Sequence, residues 1–336
     1  MHRYHRRLAS TLAVGLLSVA VGVLTLAVVA AQQNPFLGKW NLTGTGADAA
    51  YVGWLEITDE AGQLGGMFLN RGGSPAKLAG AKVENGELVF QAAARRGGPG
   101  PEGRARVQGN TLTGAITTLA TATAPARTLT FTAARPPVFP ASDANATHTF
   151  GAPVELFDGK TMDAFTLVNP ARPWTVSDGL AWNAPPTETP TGRYIGSNLI
   201  SKQKFYDYRI HAEYKLDNEA HSGIYFRGRY EMQVLGDMGV PLSPISHMAV
   251  YGRIAPLVNP SIPDNEWNIM DGVIVGNRIT VTLNGKKVHD NTLLQGITGN
   301  AVDANELEPG PIMIVGNDGR IWYRRITITP IRSPLR

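Results

Sequence analysis

Cysteine is absent from the 336 residues of the sequence. This absence excludes disulfide bonds, a thiol nucleophile and any zinc site built on thiolates. The 37 glycines and 23 prolines, together with 43% apolar residues, indicate instead many short strands joined by turns. The length predicts about two domains.

A concentrated positive charge is also missing. The formal net charge is +4, but Arg3, Arg6 and Arg7 precede the first apolar segment, and without them 28 basic residues stand against 27 acidic ones. The remaining basic residues form no continuous run. Nucleic acid is recognised by a concentrated basic face, so we do not expect it as a partner.

Long apolar segments are confined to the start of the chain. Residues 8–31 are mostly apolar, follow a basic stretch and end in Val29-Ala30-Ala31, which has the small residues of a signal-peptidase site. We interpret residues 1–31 as a signal peptide, with a membrane tether through residues 8–31 as the alternative. Both interpretations predict an exported protein of the periplasm or cell envelope.

The pattern then changes to short segments of alternating apolar and polar residues, which are typical of strands. Residues 35–135 contain eight such segments and predict a small closed β-barrel or sandwich. Their opening, Gly38-x-Trp40, resembles the first strand of lipocalin-like barrels in this one short motif. Residues 136–151 have no apolar period and predict a linker. An accessory binding module, a dimerisation surface and a spacer all stay open as functions of this first domain.

Residues 152–330 contain about fourteen further candidate strands, which favour an all-β sandwich of two sheets. Three of these strands, 208–216, 222–228 and 230–235, place apolar residues on one face and polar residues on the other. If they are neighbours, their polar faces combine the following side chains: Arg209, His211, Glu213, Tyr225, Arg227, Glu231 and Gln233. A solvated sheet face has the same pattern, so the alternation alone leaves both a site and an ordinary surface open.

The same half of the chain resembles the 3-keto-disaccharide hydrolase family, formerly a domain of unknown function. The resemblance rests on motifs in the family order: Glu155-Leu156-Phe157-Asp158-Gly159-Lys160, Trp174-Thr175-Val176-Ser177-Asp178-Gly179-Leu180, Ser222-Gly223-Ile224-Tyr225-Phe226-Arg227-Gly228 and Tyr230-Glu231-Met232-Gln233-Val234-Leu235. It implies a concanavalin-like or laminarinase-like jelly roll that acts on glycosides oxidised at C3. The ketone acidifies the proton on C2, so a base can remove it and the C1 leaving group departs, after which water adds to the enone.

The resemblance and the alternation together indicate which residues would carry this reaction. Glu231 is the candidate base, Glu213 is a second carboxylate that acts as acid or partner, and Arg227 would stabilise the enolate charge. A salt bridge is the structural alternative for Glu213 and Arg227. The candidate substrate-binding residues are Gln233, His221, Tyr251, Trp267 and Asn268. The predicted ligand is a small saccharide or glycoside, and no cofactor is expected.

Two places depart from the family pattern. His221 stands where asparagine is usual, and near the C-terminus Val315 replaces glutamine while Asp318 stands near the usual histidine. If that histidine is needed for the chemistry, activity or specificity differs in this protein. The histidines also lack the close paired spacing of a zinc site, so no metal ligands are predicted.

Two other functions stay open. A laminarinase-like glycosidase uses two carboxylates on one strand, whereas the corresponding positions here are Glu231, Gln233 and Leu235, of which one is acidic. A non-catalytic carbohydrate-binding module would need aromatic and hydrogen-bonding groups but no base.

Overall fold

The computed structural model describes residues 34–332 except 72, 95–99, 121–124, 184–196, 218–219 and 317–318. The candidate signal peptide or tether and Asp318 therefore lie outside the described residues. Within the described part of the chain, no helix is long and apolar enough to span a membrane. Phe36–Arg336 forms one compact unit.

The first half of this unit is a closed antiparallel barrel of eight strands. The strands are β1 (Gly38–Gly44), β2 (Val52–Glu60), β3 (Gln63–Leu69), β4 (Ala76–Glu84), β5 (Glu87–Ala92), β6 (Glu102–Gln108), β7 (Thr111–Thr118) and β8 (Arg127–Ala134), with one turn of 3-10 helix at Gly46–Asp48. Consecutive strands pair, and β8 closes the barrel on β1. Inward-facing side chains such as Trp40, Leu55 and Phe90 fill the barrel with a packed core.

The second half is a sandwich of two sheets. Its strands are β9 (Val154–Phe157), β10 (Phe165–Leu167), β11 (Trp174–Ser177), β12 (Leu180–Asn183), β13 (Leu199–Phe205), β14 (Tyr208–Leu216), β15 (His221–Phe226), β16 (Tyr230–Leu235), β17 (Asn268–Val275), β18 (Arg278–Leu283), β19 (Lys286–Leu293), β20 (Gly310–Ile314) and β21 (Ile321–Pro330). The small sheet has the order β10-β13-β20-β15-β16. The large sheet has the order β11-β12-β21-β14-β17-β18-β19, with β9 paired to β21. The predicted all-β architecture, a jelly-roll sandwich preceded by a small barrel, is confirmed.

The core of the sandwich lies between the two sheets. Every second residue of β14, including Ile210 and Tyr214, packs there against Ile224 of β15 and Met232 of β16. The predicted neighbours are therefore correct for β15 and β16 but wrong for β14, which belongs to the large sheet. Because both sheets turn their apolar side inward, the polar side of β14 lies on the opposite outer surface from that of β15 and β16.

The barrel packs directly against the sandwich. Residues 136–151 connect the two parts with a single isolated bridge at Phe150. Val52, Trp54 and Leu69, which face outward from β2 and β3, form an apolar cluster with Ile297 and Ala301 of the sandwich. The segment that contains Ile297 and Ala301 also borders the outer face of the small sheet.

Candidate functional site

The outer face of the small sheet brings together three predicted polar residues. Tyr225 on β15 lies directly opposite Glu231 on β16, and Gly223 lies opposite Gln233. Side chains two residues apart share a face, so Tyr225, Glu231 and Gln233 all point outward from the sandwich core. Tyr225 is nevertheless fully buried, and Glu231 and Gln233 are 4% and 3% exposed. This face is therefore not a solvated surface.

Two segments enclose this face. Residues 248–251 extend the sheet beyond β16, where the Tyr251 amide donates to the Glu231 carbonyl at 3.0 Å. Residues 297–302, termed here the covering segment, contact the same edge of β16 and the outer face of β15. The Glu231 amide donates to the Thr298 hydroxyl at 3.0 Å. Both backbone polar groups of Glu231 are thus paired at the edge of β16 that faces away from β15.

Gly223 allows the Glu231 carboxyl group to lie flat against β15. A Cβ atom on Gly223 would stand 2.3 Å from Oε1 of Glu231, a separation that non-bonded atoms do not adopt. The glycine of the Ser222-Gly223-Ile224 motif therefore creates the space that the carboxyl group occupies.

The direction of the hydrogen bonds at Tyr225 depends on the ionisation state of Glu231. The Tyr225 hydroxyl oxygen lies 2.6 Å from Oε2 of Glu231 and 2.6 Å from the carbonyl oxygen of Gly299. A hydroxyl carries one proton and a carbonyl oxygen can only accept. When Tyr225 donates to Gly299, the short contact with Glu231 is a hydrogen bond only if the carboxyl group is protonated and donates to Tyr225.

The electrostatics of the site favour the neutral form of Glu231. Burial raises the pKa of Glu231 to about 8, and the hydrogen bond with Tyr225 opposes this rise. Burial also raises the pKa of Tyr225 well above its ordinary value, and the nearby Glu231 carboxyl adds to the rise. At neutral pH Glu231 is mainly a neutral acid, and it becomes a carboxylate in mildly alkaline solution.

Gln233 presents an unpaired polar atom on this face. Its Oε1 atom is buried and has no hydrogen-bond partner among the described residues. Buried acceptors are nearly always paired in folded proteins, because an unpaired one costs on the order of 1–3 kcal/mol. An acceptor of this kind beside a buried carboxyl group is typical of a site that binds a hydroxylated ligand.

Glu213, predicted as the second carboxylate, does not join Glu231. It lies on the outer surface of the large sheet, where its Oε1 atom is 3.2 Å from Nε2 of His211. Nε of Arg324 donates to the other carboxylate oxygen. Burial would raise the pKa of Glu213, but the hydrogen bonds from His211 and Arg324 outweigh it and lower the pKa. The grouping of Glu213 with Glu231 is wrong, and the salt-bridge alternative describes its surroundings.

Arg227 also lies away from the carboxyl group of Glu231. It has a φ of 55° in the turn between β15 and β16, which interrupts the alternation on which its predicted direction depended. Its guanidinium group is buried 4.7 Å from the centre of the Tyr206 ring and 5.3 Å from that of Tyr230. It donates to the carbonyl oxygen of Gly276. Its placement beside Glu231 as a stabiliser of enolate charge is therefore not supported.

The other predicted substrate-binding residues divide between the two sheets. His221 and Tyr251 border the face that carries Glu231: His221 begins β15 opposite Leu235, and Tyr251 follows the segment paired with β16. Trp267 lies by the large sheet, with the guanidinium of Arg324 4.5 Å from its ring centre. Asn268 is buried in β17. The predicted grouping of Trp267 and Asn268 with Glu231 is wrong, because both belong to the large-sheet side.

The geometry differs from that of a glycosidase with two catalytic carboxylates and from that of a metal site. Glycosidases with two catalytic carboxylates place them on both sides of the scissile bond, but among the described residues no second carboxylate contributes to the pKa of Glu231. The described part of the chain also contains no group of three or more histidine, aspartate or glutamate side chains suited to hold a metal ion.

Two residues of the site, Thr298 and Gly299, were not predicted from the sequence. They follow β16 by more than sixty positions and belong to no strand. Their hydrogen bonds to Glu231 and Tyr225 depend on the folded path of the chain, so no local pattern indicates them. Tyr225 could be predicted, because the alternation of apolar and polar residues in its strand places it on the polar face.

The second half of the chain is similar in sequence to a known protein family. Two solved structures of candidate glycosyl hydrolases from Parabacteroides distasonis are similar to it. The first is 24% identical over 57% of this chain and 91% of its own, with a TM-score of 0.43. The second is 21% identical over 54% of this chain and 100% of its own, with a TM-score of 0.41. The carbohydrate-binding module CBM66 from Bacillus subtilis is 12% identical over 50% of this chain and 93% of its own, with a TM-score of 0.29. No curated protein matches the chain. The family model of the 3-keto-alpha-glucoside-1,2-lyase-like domain matches residues 152–329. The chain therefore belongs to this family.

Proposed function

We propose that the protein cleaves the glycosidic bond of small 3-keto-glycosides outside the cytoplasm, by elimination across C1 and C2 followed by addition of water. Family membership over residues 152–329 supports the substrate class. The basic and then apolar pattern of residues 1–31 supports export.

The observation that carries the proposal is the buried Glu231 carboxyl group, which faces Tyr225 and has a pKa of about 8. A carboxylate with a raised pKa is a stronger base than an ordinary one, which suits removal of a weakly acidic C–H proton. Its neutral form can equally return a proton. One residue can therefore serve both stages of an elimination.

In the proposed reaction, ionised Glu231 takes the proton from C2 of the sugar. The electrons of the C2–H bond form the C1–C2 double bond through an enolate of the C3 ketone, and the C1–O bond breaks. The departing oxygen receives the proton that Glu231 has taken. The products are an enone and the free alcohol, and addition of water to the enone completes a net hydrolysis.

Tyr225 and Gln233 would assist Glu231. Once Glu231 is ionised, the Tyr225 hydroxyl can donate to its Oε2 atom and stabilise the carboxylate. The unpaired Oε1 atom of Gln233, two residues along the same strand, would accept a hydrogen bond from a hydroxyl group of the sugar. Because Glu231 is only 4% exposed, a glycoside reaches it when residues 248–251 or the covering segment move.

A non-catalytic saccharide-binding function is the second candidate. The protonated state of Glu231 favours it, since a neutral carboxyl group beside the unpaired Oε1 of Gln233 offers hydrogen bonds to a sugar without any proton abstraction. Such a site needs no ionised base.

Incubation with 3-keto-glucosides and with their unoxidised parents, at pH 7 and at pH 9, distinguishes these functions. Release of the aglycone from the keto forms alone supports the elimination. Release from both forms would indicate an ordinary glycosidase. Binding without release would establish the binding module and overturn the proposed reaction.

A further inference from the structure

We propose that the N-terminal barrel is a positioning element of the Glu231 site, because it holds in place both segments that contact Glu231 and Tyr225. This inference rests on the proposed function for its biological meaning, but the contacts that support it are independent of any reaction. It assigns a role to a part of the chain that lies outside the family match at residues 152–329.

The inner side of the covering segment holds the two site residues. Thr298 accepts a hydrogen bond from the Glu231 amide at 3.0 Å, and the Gly299 carbonyl lies 2.6 Å from the Tyr225 hydroxyl. The amide of Val302 donates to the carbonyl of Gly228, which fixes the far end of the segment. A shift of this segment would therefore move the acceptor of the Tyr225 proton.

The outer side of the covering segment packs on the barrel. Ile297 and Ala301 lie in the apolar cluster with Trp54 and Leu69. Gly299 is so close to the barrel that a Cβ atom there would stand 3.0 Å from the carbonyl oxygen of Gly73. The segment is thus held closely between the barrel and the small sheet, and an added methyl group would require a shift of a few tenths of an ångström.

Arg253 links the same parts. Its guanidinium carbon lies 4.1 Å from the centre of the Trp54 ring, and its Nε donates to the carbonyl of Ile297 at 2.6 Å. A cation over an indole ring is attracted by the π-electrons, and this attraction is strongest where water is excluded. The barrel tryptophan therefore helps to orient the cation that supports the covering segment.

The second segment, which contains Tyr251, is fixed by the loop between β3 and β4. The hydroxyl groups of Ser74 and Tyr251 are 2.6 Å apart. A Cβ atom on the next residue, Gly252, would stand 2.2 Å from Cδ of Pro75. The Tyr251 amide donates to the Glu231 carbonyl. By fixing Tyr251, the barrel therefore also fixes this second contact of Glu231.

A forced displacement of the covering segment tests the inference most directly. In Gly299→Ala the new methyl group must move the segment away from Gly73. Because the Gly299 carbonyl already lies 2.6 Å from the Tyr225 hydroxyl, this shift alters the hydrogen bond that competes with Glu231 for the Tyr225 proton. We expect the pKa of Glu231 to change by about half a pH unit, roughly a threefold change in its ionisation constant. Gly80→Ala is the matched control, because a Cβ atom at Gly80, on the barrel strand β4, meets no atom within 4 Å.

The measurement is the NMR titration of the carboxyl carbon of Glu231 in the full chain, assigned by its loss in Glu231→Gln. It needs no substrate, so it stays informative if no 3-keto-glucoside is cleaved. A pKa that moves in Gly299→Ala and not in Gly80→Ala supports the inference whatever the activity. A pKa unchanged in both folded variants overturns it, even if the wild-type protein cleaves 3-keto-glucosides.

A second variant keeps the inference testable if Gly299→Ala does not fold. Ser74→Ala removes one hydroxyl group of the barrel without adding volume, and Ser74→Thr restores it. We expect Ser74→Ala to move the pKa of Glu231 and Ser74→Thr to return it toward the wild-type value. Thr117→Val is the control, because it removes another hydroxyl pair, with Thr128 at 2.9 Å, from an exposed part of the barrel. Equal titration curves for Ser74→Ala and Thr117→Val would refute a positioning role for Ser74 and leave the inference without support.

Discussion

Tyr225 and Glu231 lie directly opposite each other on β15 and β16, and their side-chain oxygen atoms are 2.6 Å apart in a fully buried environment. Both groups are weak acids, and a carbonyl oxygen lies within reach of the hydroxyl group. The position of a single proton therefore decides whether Glu231 is a hydrogen-bond donor or a base. Several measurable properties depend on this pair.

Replacement of Glu231 by glutamine should abolish turnover of 3-keto-glucosides while binding survives. The amide keeps the size and can donate to Tyr225, but it cannot take a proton. Loss of a general base typically lowers the rate about 100- to 10,000-fold. Glu213→Gln is the matched control, since this residue lies on the other sheet, and its turnover should stay within about twofold. Steady-state kinetics and ligand binding measure both, and undiminished turnover in Glu231→Gln would remove Glu231 from the reaction.

The rate should depend on pH through the ionisation of Glu231. If the carboxylate is the base, kcat/KM rises with pH and levels off above about 8. Tyr225→Phe removes a hydrogen bond that lowers this pKa, so the rising limb should move to higher pH. The rate at pH 7 then falls about tenfold for each pH unit by which the limb moves. A loss of rate that is equal at every pH would mean that Tyr225 acts in some other way.

The free energy of unfolding should also depend on pH through the protonation of Glu231. The folded protein holds this proton up to about pH 8, whereas the unfolded chain releases it near the ordinary value of 4.5. Between these values a rise in pH favours the unfolded chain, so the free energy of unfolding falls, by at most about 1.4 kcal/mol per pH unit. Urea unfolding from pH 5 to 9 should show this component in the wild-type protein and not in Glu231→Gln. Parallel curves for the two proteins would contradict the raised pKa.

A second buried group should make the protein sensitive to acid. His247 lies between the Tyr214 hydroxyl, 2.7 Å from Nε2, and the Ser261 hydroxyl, 2.8 Å from Nδ1. Burial lowers the pKa of His247 to about 4, against the influence of the Asp237 charge. The unfolded chain binds a proton near pH 6.5 and the folded protein does not, so stability is lost as the pH falls from 6.5 to 4. Unfolding of His247→Gln should be less dependent on pH in this range, although the variant loses hydrogen bonds at neutral pH.

Contact between the barrel and the sandwich should contribute strongly to stability. Trp54 is 3% exposed although it points out of the barrel, and it packs on the covering segment. Trp54→Ala should lower the free energy of unfolding by about 3–5 kcal/mol. Calorimetry of the full chain should show one transition for the wild-type protein. Two separate transitions in the wild-type protein would show that the contact contributes little.

Much of the fold could be predicted because alternation and turn residues are local properties. The eight segments predicted in residues 35–135 form the eight barrel strands, and the sandwich has thirteen strands where about fourteen were predicted. The turn at Asn85-Gly86 has the positive φ angles that its residues predict. The shared face of Tyr225, Glu231 and Gln233 also follows from alternation.

The errors at the site have a common physical origin. Alternation shows which side of a strand faces the core, but it does not show which of two sheets the strand joins. Glu213 and Glu231 both point away from the core and are nevertheless on opposite outer surfaces. The burial of Glu231 was equally hidden, because it results from the covering segment and from contacts with a distant part of the chain.

The apolar contact between the outer surface of the barrel and the covering segment has a consequence for how this protein could be recombined. Residues 152–329 correspond to the family domain, but its surface at Ile297 and Ala301 is complementary to the barrel. A chimera that joins this domain to another partner would expose that surface to water unless the partner offered a matching apolar face. A chimera that keeps this surface buried must therefore include the barrel as well as residues 152–329.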